Sequence, residues 1–310
     1  MPTTTMRSRF CINVVVERSI VSLVEILLAA IVAHKMDAHA SKTFVNHLRA
    51  NGPCVGTVLT IASDVIAYLA GQADGDFVMI DMEHAPLTMD VVTRMVHAYA
   101  ASSRGNRFPL VRIPSHGVEW VKWALDSGAA GVIVPMVGNA AEMKAIIDRA
   151  VYPPGGRRSF GPLYAPFAHP EGAASGMGGY FERAKRGEIA LLPMIESKEG
   201  LQNAEEILSL EHVSGVFIGP ADLRLSIGLP PAIAGEEPQF LDALRRITNA
   251  AKKHGKVVGC MGMGEQAAME RAAEGMDFLL STFDNGAMVT GFATELAAAR
   301  KGVQAAASKL

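Results

Sequence analysis

Phe77-Val78-Met79-Ile80-Asp81-Met82-Glu83-His84 is a run of four apolar residues that passes directly into a cluster of ionisable ones. A run with no alternating polar face reads as a strand covered on both sides, which is the mark of a parallel sheet clad in helices. Working outward, seven more short apolar runs share that character, at 55–60, 110–113, 131–135, 190–195, 215–218, 257–261 and 278–281. Helical periods separate them. Val92, Met95, Val96 and Tyr99 recur at i, i+3, i+4 and i+7, as do Met143, Ile146, Ile147 and Ala150. Thr88 is placed to cap the helix carrying the first set, with Asp90 in its first turn, and Gly128 is placed as the left-handed residue after a helix ending at Ser127. Eight strand–helix units with no break in composition predict a single (β/α)8 TIM barrel over 41–310. The competing doubly wound sheet often carries a glycine-rich first turn, whereas here that turn reads Leu59-Thr60-Ile61-Ala62-Ser63. The longest unassigned stretch, 152–187, is expected as a functional loop on the catalytic face.

The bulk properties agree with a large enclosed core. The chain has 310 residues, 49% hydrophobic and 19% charged, which excludes a disordered tail, a disulfide mini-protein and a low-complexity array. A net charge of −2 gives no basic field for nucleic acid, and 6% aromatics argue against a base-stacking platform. The three cysteines, Cys11, Cys54 and Cys260, are odd in number and far apart, so neither a disulfide framework nor a zinc pattern follows, and a cytoplasmic, reducing setting is expected. Residues 1–40 differ from the rest: Arg7, Arg9 and Arg18 precede an apolar run at 20–33 that is broken by Glu25 and is shorter than the roughly 20 residues a membrane span needs. This extension reads as a peripheral helix, as an over-long start with Met36 the true first residue, or as a targeting segment ending at Ala38-His39-Ala40.

Barrel active sites lie at the C-terminal ends of the strands. Strand two ends in Asp81, Glu83 and His84, strand three in Arg112, strand five in Glu196, and strand six leads into Gly219-Pro220-Ala221-Asp222. Ionisable groups that converge after apolar strands destabilise the fold unless something pairs them. Glu196 and Asp222, two carboxylates on neighbouring strands, suit Mg²⁺ or Mn²⁺ with water and substrate completing the sphere; each also suits a helix cap, and spacing alone does not decide. Arg112 reads as a ligand for a carboxylate or enolate oxygen, or as the partner of Asp81 or Asp126. His84 reads as a proton carrier or as a bonded loop histidine. An imine mechanism would need a lysine at a strand end, yet Lys256 stands at the entrance of strand seven and Lys122 and Lys144 lie on helices. Metal-assisted enolisation is the carbonyl chemistry left. The glycines of 259–264 lack a basic partner for phosphate, and Gly155-Gly156-Arg157-Arg158 reads as a solvated basic turn by default, or else as an anion site or a subunit contact.

Taken in order, Asp81-Met82-Glu83-His84-Ala85-Pro86, Val111-Arg112-Ile113-Pro114, Ala124-Leu125-Asp126-Ser127-Gly128-Ala129, Val134-Pro135-Met136-Val137, Tyr152-Pro153-Pro154-Gly155-Gly156-Arg157-Arg158, Met194-Ile195-Glu196 and Phe217-Ile218-Gly219-Pro220-Ala221-Asp222-Leu223 resemble the HpcH/HpaI aldolase/citrate lyase family, in particular its class II pyruvate aldolases of the hydroxy-heptenedioate aldolase type. The likeness spans about 41–302, and it tips the balance for Glu196 and Asp222 toward a metal. It implies Mg²⁺, Mn²⁺ or Co²⁺ held by those two acids, and pyruvate bound through its carboxylate and keto oxygens. Backbone N–H groups near Gly219 and Ala221 would hold that carboxylate. Arg112 would steady the enolate oxygen, and His84, oriented by Asp126, would transfer the proton. Asp81 and Glu83 are implied only as supports behind these groups. The resemblance further implies trimers or hexamers that exchange the last helix, 284–310, with pyruvate and an aldehyde as partners and neither nucleic acid nor membrane. Met194 stands where many members have Gln, Val58 where some have Trp, and Arg224 where a small residue is usual; Arg224 is expected to meet an acidic acceptor tail or to face solvent. Readings that use the same enolate, an oxaloacetate decarboxylase or a benzoate-synthase-like lyase, stay open, as does a non-catalytic barrel. A CoA-ester lyase would want a basic groove that the sequence lacks.

Overall fold

The computed structural model describes residues 43–169 and 172–308. The expected extension over 1–40 lies outside the described residues. Eight parallel strands close on themselves in chain order. They are β1 (Cys54–Leu59), β2 (Phe77–Asp81), β3 (Phe108–Arg112), β4 (Gly131–Val134), β5 (Ala190–Ile195), β6 (Gly215–Ile218), β7 (Val257–Met261) and β8 (Phe278–Phe283). The helices are α1 (Phe44–Asn51), α2 (Asp64–Ala70), α3 (Met89–Ser102), α4 (Val118–Asp126), α5 (Ala140–Ala150), α6 (Gly172–Lys185), α7 (Lys198–Gln202), α8 (Ala204–Leu208), α9 (Pro220–Ser226), α10 (Pro238–Lys253), α11 (Gly264–Ala273) and α12 (Asp284–Ala307). The (β/α)8 barrel expected from the apolar runs is the fold. Among the described residues no helix is long and apolar enough to cross a membrane.

Side chains alternate across each strand, and this alternation builds two cores. Val78 and Ile80 point outward and pack with Val92, Met95 and Val96 of α3 in the layer between strands and helices. Phe77 and Met79 point inward, together with Leu110, Leu192, Met194, Phe217 and Phe278. Helix α1 plugs the floor: the ring of Phe44 meets those of Phe77, Phe108 and Phe278 edge-on at 5.3–5.9 Å. The plug is capped at its start, where the Thr43 hydroxyl accepts from the Asn46 N–H at 3.2 Å.

The same parity carries the polar residues inward at the other end. Asp81 follows Phe77 and Met79, Arg112 follows Leu110, and Glu196 follows Leu192 and Met194. The β2–β3 register sets Asp81 beside Arg112.

Several expectations are corrected here. The stretch 152–187 does not lie on the catalytic face. It joins the end of α5 to the start of β5, and a helix that follows a strand runs back to the floor, so the described part of this connection starts and ends at the floor, with the short 3₁₀ turn Ala165–Ala168 packed on α6 and α3. There it borders a cavity of about 410 Å³ shared with Arg49, His212 and Lys256. Arg158 is not a solvated turn residue: its side chain is 1% exposed, pairs with Asp126 at 2.6 Å and lies over the Tyr152 ring. Arg224 meets neither solvent nor an acceptor; it is buried, bonded to both oxygens of Glu237 at 2.6 and 2.7 Å and to the Pro230 carbonyl at 2.9 Å. Thr88 occupies the cap of α3, but its hydroxyl bonds the Asp90 carboxylate rather than the helix backbone. Gly128 has φ +91°, as its place after α4 requires.

Candidate active site

Asp81 is 1% exposed and accepts two bonds from Arg112, from Nε at 2.9 Å and from Nη2 at 2.6 Å. Its Oδ1 also accepts the backbone N–H groups of Glu83 (3.0 Å) and His84 (3.4 Å), so one carboxylate fixes the guanidinium and folds the turn after β2. Of the two sequence readings, the Arg112–Asp81 pair is therefore formed. It still leaves Nη1 directed to the barrel mouth, 3.0 Å from Glu83 Oε2 and 4.0 Å from the Met194 sulfur. Burial opposes the charge on Arg112, but Asp81, Glu83 and Glu196 outweigh it and hold its pKa above the ordinary arginine value.

Glu196 ends β5 at 3% exposure. Its Oε1 accepts the Met136 N–H at 2.7 Å. Met136 has φ +54°, a conformation unfavourable for a residue with a Cβ, and it follows β4 at the mouth. The strained turn turns an N–H toward the carboxylate, a contact no side-chain pattern in the sequence announces. Gly219 closes the other side: a Cβ there would lie 2.1 Å from Glu196 Oε2. Burial, and then the charges of Glu83 and Asp222, push Glu196 up to about 7 against the opposing pull of the Met136 N–H and Arg112. Burial likewise raises Glu83, with Asp81 and Asp222 adding to it and Arg112 and His84 opposing. Asp222, exposed in the first turn of α9, thus belongs to the same electrostatic cluster.

Glu83 contributes the decisive atom. Its Oε2 is buried and lies at ion-pair distance from Arg112, yet off the line of any N–H, so it accepts no hydrogen bond. Glu83, Glu196 and Asp222 share one electrostatic cluster of carboxylates, with Glu83 Oε2 ion-paired to Arg112 but accepting no hydrogen bond, and hard oxygen donors of this kind suit Mg²⁺ or Mn²⁺ rather than zinc. Glu83 was legible only as a support; its place inside the acid cluster follows from the Asp81-bonded turn.

His84 stands at the rim, its side chain 65% exposed, with Nε2 3.8 Å from Glu83 Oε2. The expected His84–Asp126 pair is not formed within the chain. Asp126 closes α4, which runs back to the floor, and its carboxylate is bonded to Arg158. Lys256 is likewise at the floor, donating to the Val213 and Leu210 carbonyls at 2.6 and 3.3 Å.

The model of the HpcH/HpaI aldolase/citrate lyase family matches residues 39–290. The chain belongs to that family. Over 232 residues it is 33% identical to a hydroxypyruvate/pyruvate aldolase of Rhizorhabdus wittichii, covering 75% of this chain and 88% of the relative. Over 246 residues it is 31% identical to a 2-keto-3-deoxy-L-rhamnonate aldolase of Escherichia coli, covering 79% and 88%. A solved structure of a family member from Burkholderia cenocepacia superposes with a TM-score of 0.73 at 27% identity, over 83% of this chain and 98% of that one. As a member of this family the chain is a carbon–carbon lyase of the aldolase kind acting on a small molecule.

The contact between Gly219 and Glu196 gives a direct test of the cluster. The backbone at Gly219, φ −87° and ψ 94°, is open to alanine, so Gly219→Ala acts through the added methyl alone. It is expected to leave the fold intact and to weaken Mn²⁺ binding about 10–100-fold in calorimetry, because the carboxylate must shift by about an ångström from the position its supports give it.

Proposed function

We propose that the chain is a divalent-metal-dependent aldolase that cleaves 4-hydroxy-2-oxo acids to pyruvate and an aldehyde and runs the addition in reverse. One observation carries this reading: Arg112 meets Glu83 at the mouth, and Glu83, Glu196 and Asp222 repel one another in one electrostatic cluster in which Glu196 is pushed up to about 7. Glu196 and Asp222 would hold the cation, with Glu83 beside them. When bound, Mg²⁺, Mn²⁺ or Co²⁺ acts as a Lewis acid on the oxo-acid oxygens.

The chain's own groups do the rest. Arg112, locked by Asp81, presents Nη1 to the C2 oxygen as negative charge builds there. The N–H of Ala221 is one of the first of α9 and has no acceptor inside the helix, so it and the Gly219 backbone suit the substrate carboxylate. In cleavage the C4 hydroxyl gives up its proton, the C3–C4 bond breaks toward C3, and the resulting enolate regains a proton at C3. His84, at the open side of the acids, is the group that moves these protons, and Glu83 rather than Asp126 is the neighbour that steers it. Asp126 has a supporting role at the floor through Arg158.

Helix α12 supports a homo-oligomer, trimer or hexamer. Val289, Phe292, Leu296 and Val303 lie at helical spacing, each at least 60% exposed, an apolar stripe left uncovered by the described residues.

The test is pyruvate release, followed by a coupled assay, over a panel of 4-hydroxy-2-oxo acids. Activity is expected to fall at least ~100-fold in EDTA and to return with Mn²⁺ or Mg²⁺. Full turnover in EDTA would overturn the reading.

A further inference from the structure

A second group of ligating side chains lies at the opposite end of the barrel. His47 on α1, Cys54 at the start of β1 and Asp76 just before β2 bring Nε2, Sγ and a carboxylate oxygen within 4.8 Å of one another. They are scattered along the sequence, and only the plugging of α1 into the floor assembles them. His47 Nε2 lies 3.0 Å from Asp76 Oδ1, and Asp76 Oδ2 accepts the Val55 N–H at 2.9 Å, so the carboxylate is held in place with one oxygen on the histidine. Cys54 is 2% exposed, with its Sγ 3.4 Å from the Gly52 carbonyl. The imidazole packs on the Phe108 ring, its centroid 5.2 Å away.

We propose that His47, Cys54 and Asp76 form a binding site for one borderline-soft divalent cation, Zn²⁺ foremost, separate from the acids at the mouth. Tetrahedral zinc at 2.0–2.3 Å from N, O and S donors sets those donors about 3.3–3.8 Å apart, a spacing this cluster reaches with side-chain adjustments alone. The mixed N, O and S set discriminates by chemistry: a thiolate and an imidazole favour zinc or cobalt over magnesium, while the all-carboxylate mouth has the opposite preference. Water or the Gly52 carbonyl would complete the sphere.

Coordination requires one proton to leave and another to move. Without a cation, burial and the neighbouring Asp76 push the Cys54 thiol up to about 12, so the cation must displace the thiol proton. It also takes the place of the proton between His47 Nε2 and Asp76, and that proton moves to Nδ1, which becomes the donor. Asn51, whose amide lies 3.2 Å from Nδ1, is exposed and has room to turn. Binding is therefore expected to strengthen as pH rises. The bound ion would pin α1 to the first two strands at the floor, a fastening that hydrophobic packing of Phe44 alone does not give.

The test is titration of the metal-free full chain with Co²⁺, read by absorbance. Thiolate-to-cobalt charge transfer is a signature that carboxylates at the mouth cannot produce. A band of the intensity of one thiolate-bound cobalt per chain is expected in the parent chain, in Glu196→Gln and in Cys260→Ser, whatever cobalt the mouth takes up beside it, and no band in Cys54→Ser. Should Cys54→Ser fail to fold, His47→Gln and Asp76→Asn serve instead, each weakening Co²⁺ binding at least ~10-fold by loss of a ligand. Absence of the band at saturating Co²⁺, its survival in Cys54→Ser, its loss in Glu196→Gln, or unchanged affinity in both His47→Gln and Asp76→Asn would overturn the proposal.

Discussion

Replacing Arg112 by lysine is expected to lower kcat/KM by about 10²–10³-fold, most of it in kcat, while the protein stays folded. The magnitude is that of removing one preorganised donor from a developing oxyanion, about 2.7–4 kcal/mol. The guanidinium does two things at once: Nε and Nη2 hold Asp81, and Nη1 remains for the mouth. A lysine ammonium is a single point on a flexible stem and cannot span both. It would keep the charge beside Asp81, which is why the fold survives. Arg112→Ala is a poorer experiment, because it strands a carboxylate that is 1% exposed, a change worth about 3–5 kcal/mol of stability. Steady-state kinetics with the best substrate from the panel, alongside thermal unfolding, separates the two effects. A lysine variant within threefold of the parent would remove Arg112 from the chemistry.

The barrel was legible because its signal is local and repeated. Runs such as 77–81 and 190–195 are apolar throughout, and strand parity alone sends Asp81, Arg112 and Glu196 inward once the strands are known. What stayed hidden depends on direction or on distant partners. The sequence does not label 152–187 as a helix-to-strand connection, so its end of the barrel was misjudged; once α5 is seen to close at Ala150, the floor is the only place it can go. Asp126 ends a helix, and within one chain a residue at the end of a helix and a residue at the end of a strand face opposite mouths. Arg158 and Arg224 are polar residues that find carboxylates 32 and 13 positions away, and nothing near them in the chain says so. The Met136 N–H on Glu196 is a backbone contact made by a strained φ, and composition carries no trace of it.

Glu196→Gln should abolish the metal-dependent activity, by about 10³-fold or more, and yet make the metal-free protein more stable at pH 8. The sign follows from the raised pKa. The ordinary glutamate value is 4.5, and in the folded chain burial, with Glu83 and Asp222, lifts Glu196 to about 7. Below pH 4.5 the group is protonated whether folded or not, and it contributes nothing. Between 4.5 and 7 the unfolded chain releases the proton while the folded chain retains it, so stability declines as pH rises, by about 3 kcal/mol in all. Glutamine carries no charge to desolvate, and its oxygen still accepts the Met136 N–H. Denaturant unfolding in EDTA should therefore show the variant ahead by ~1–3 kcal/mol at pH 8 and level with the parent near pH 4. Mn²⁺ should reverse the order at high pH, because a cation that binds only the folded parent stabilises it by mass action and adds little to the variant. The same proton competes with the cation, so Mn²⁺ affinity of the parent should weaken by up to about tenfold per pH unit below 7. A variant less stable than the parent at pH 8 in EDTA would mean that the carboxylate is held by contacts favouring its charge, and the case for a site poised for a cation would fail with it.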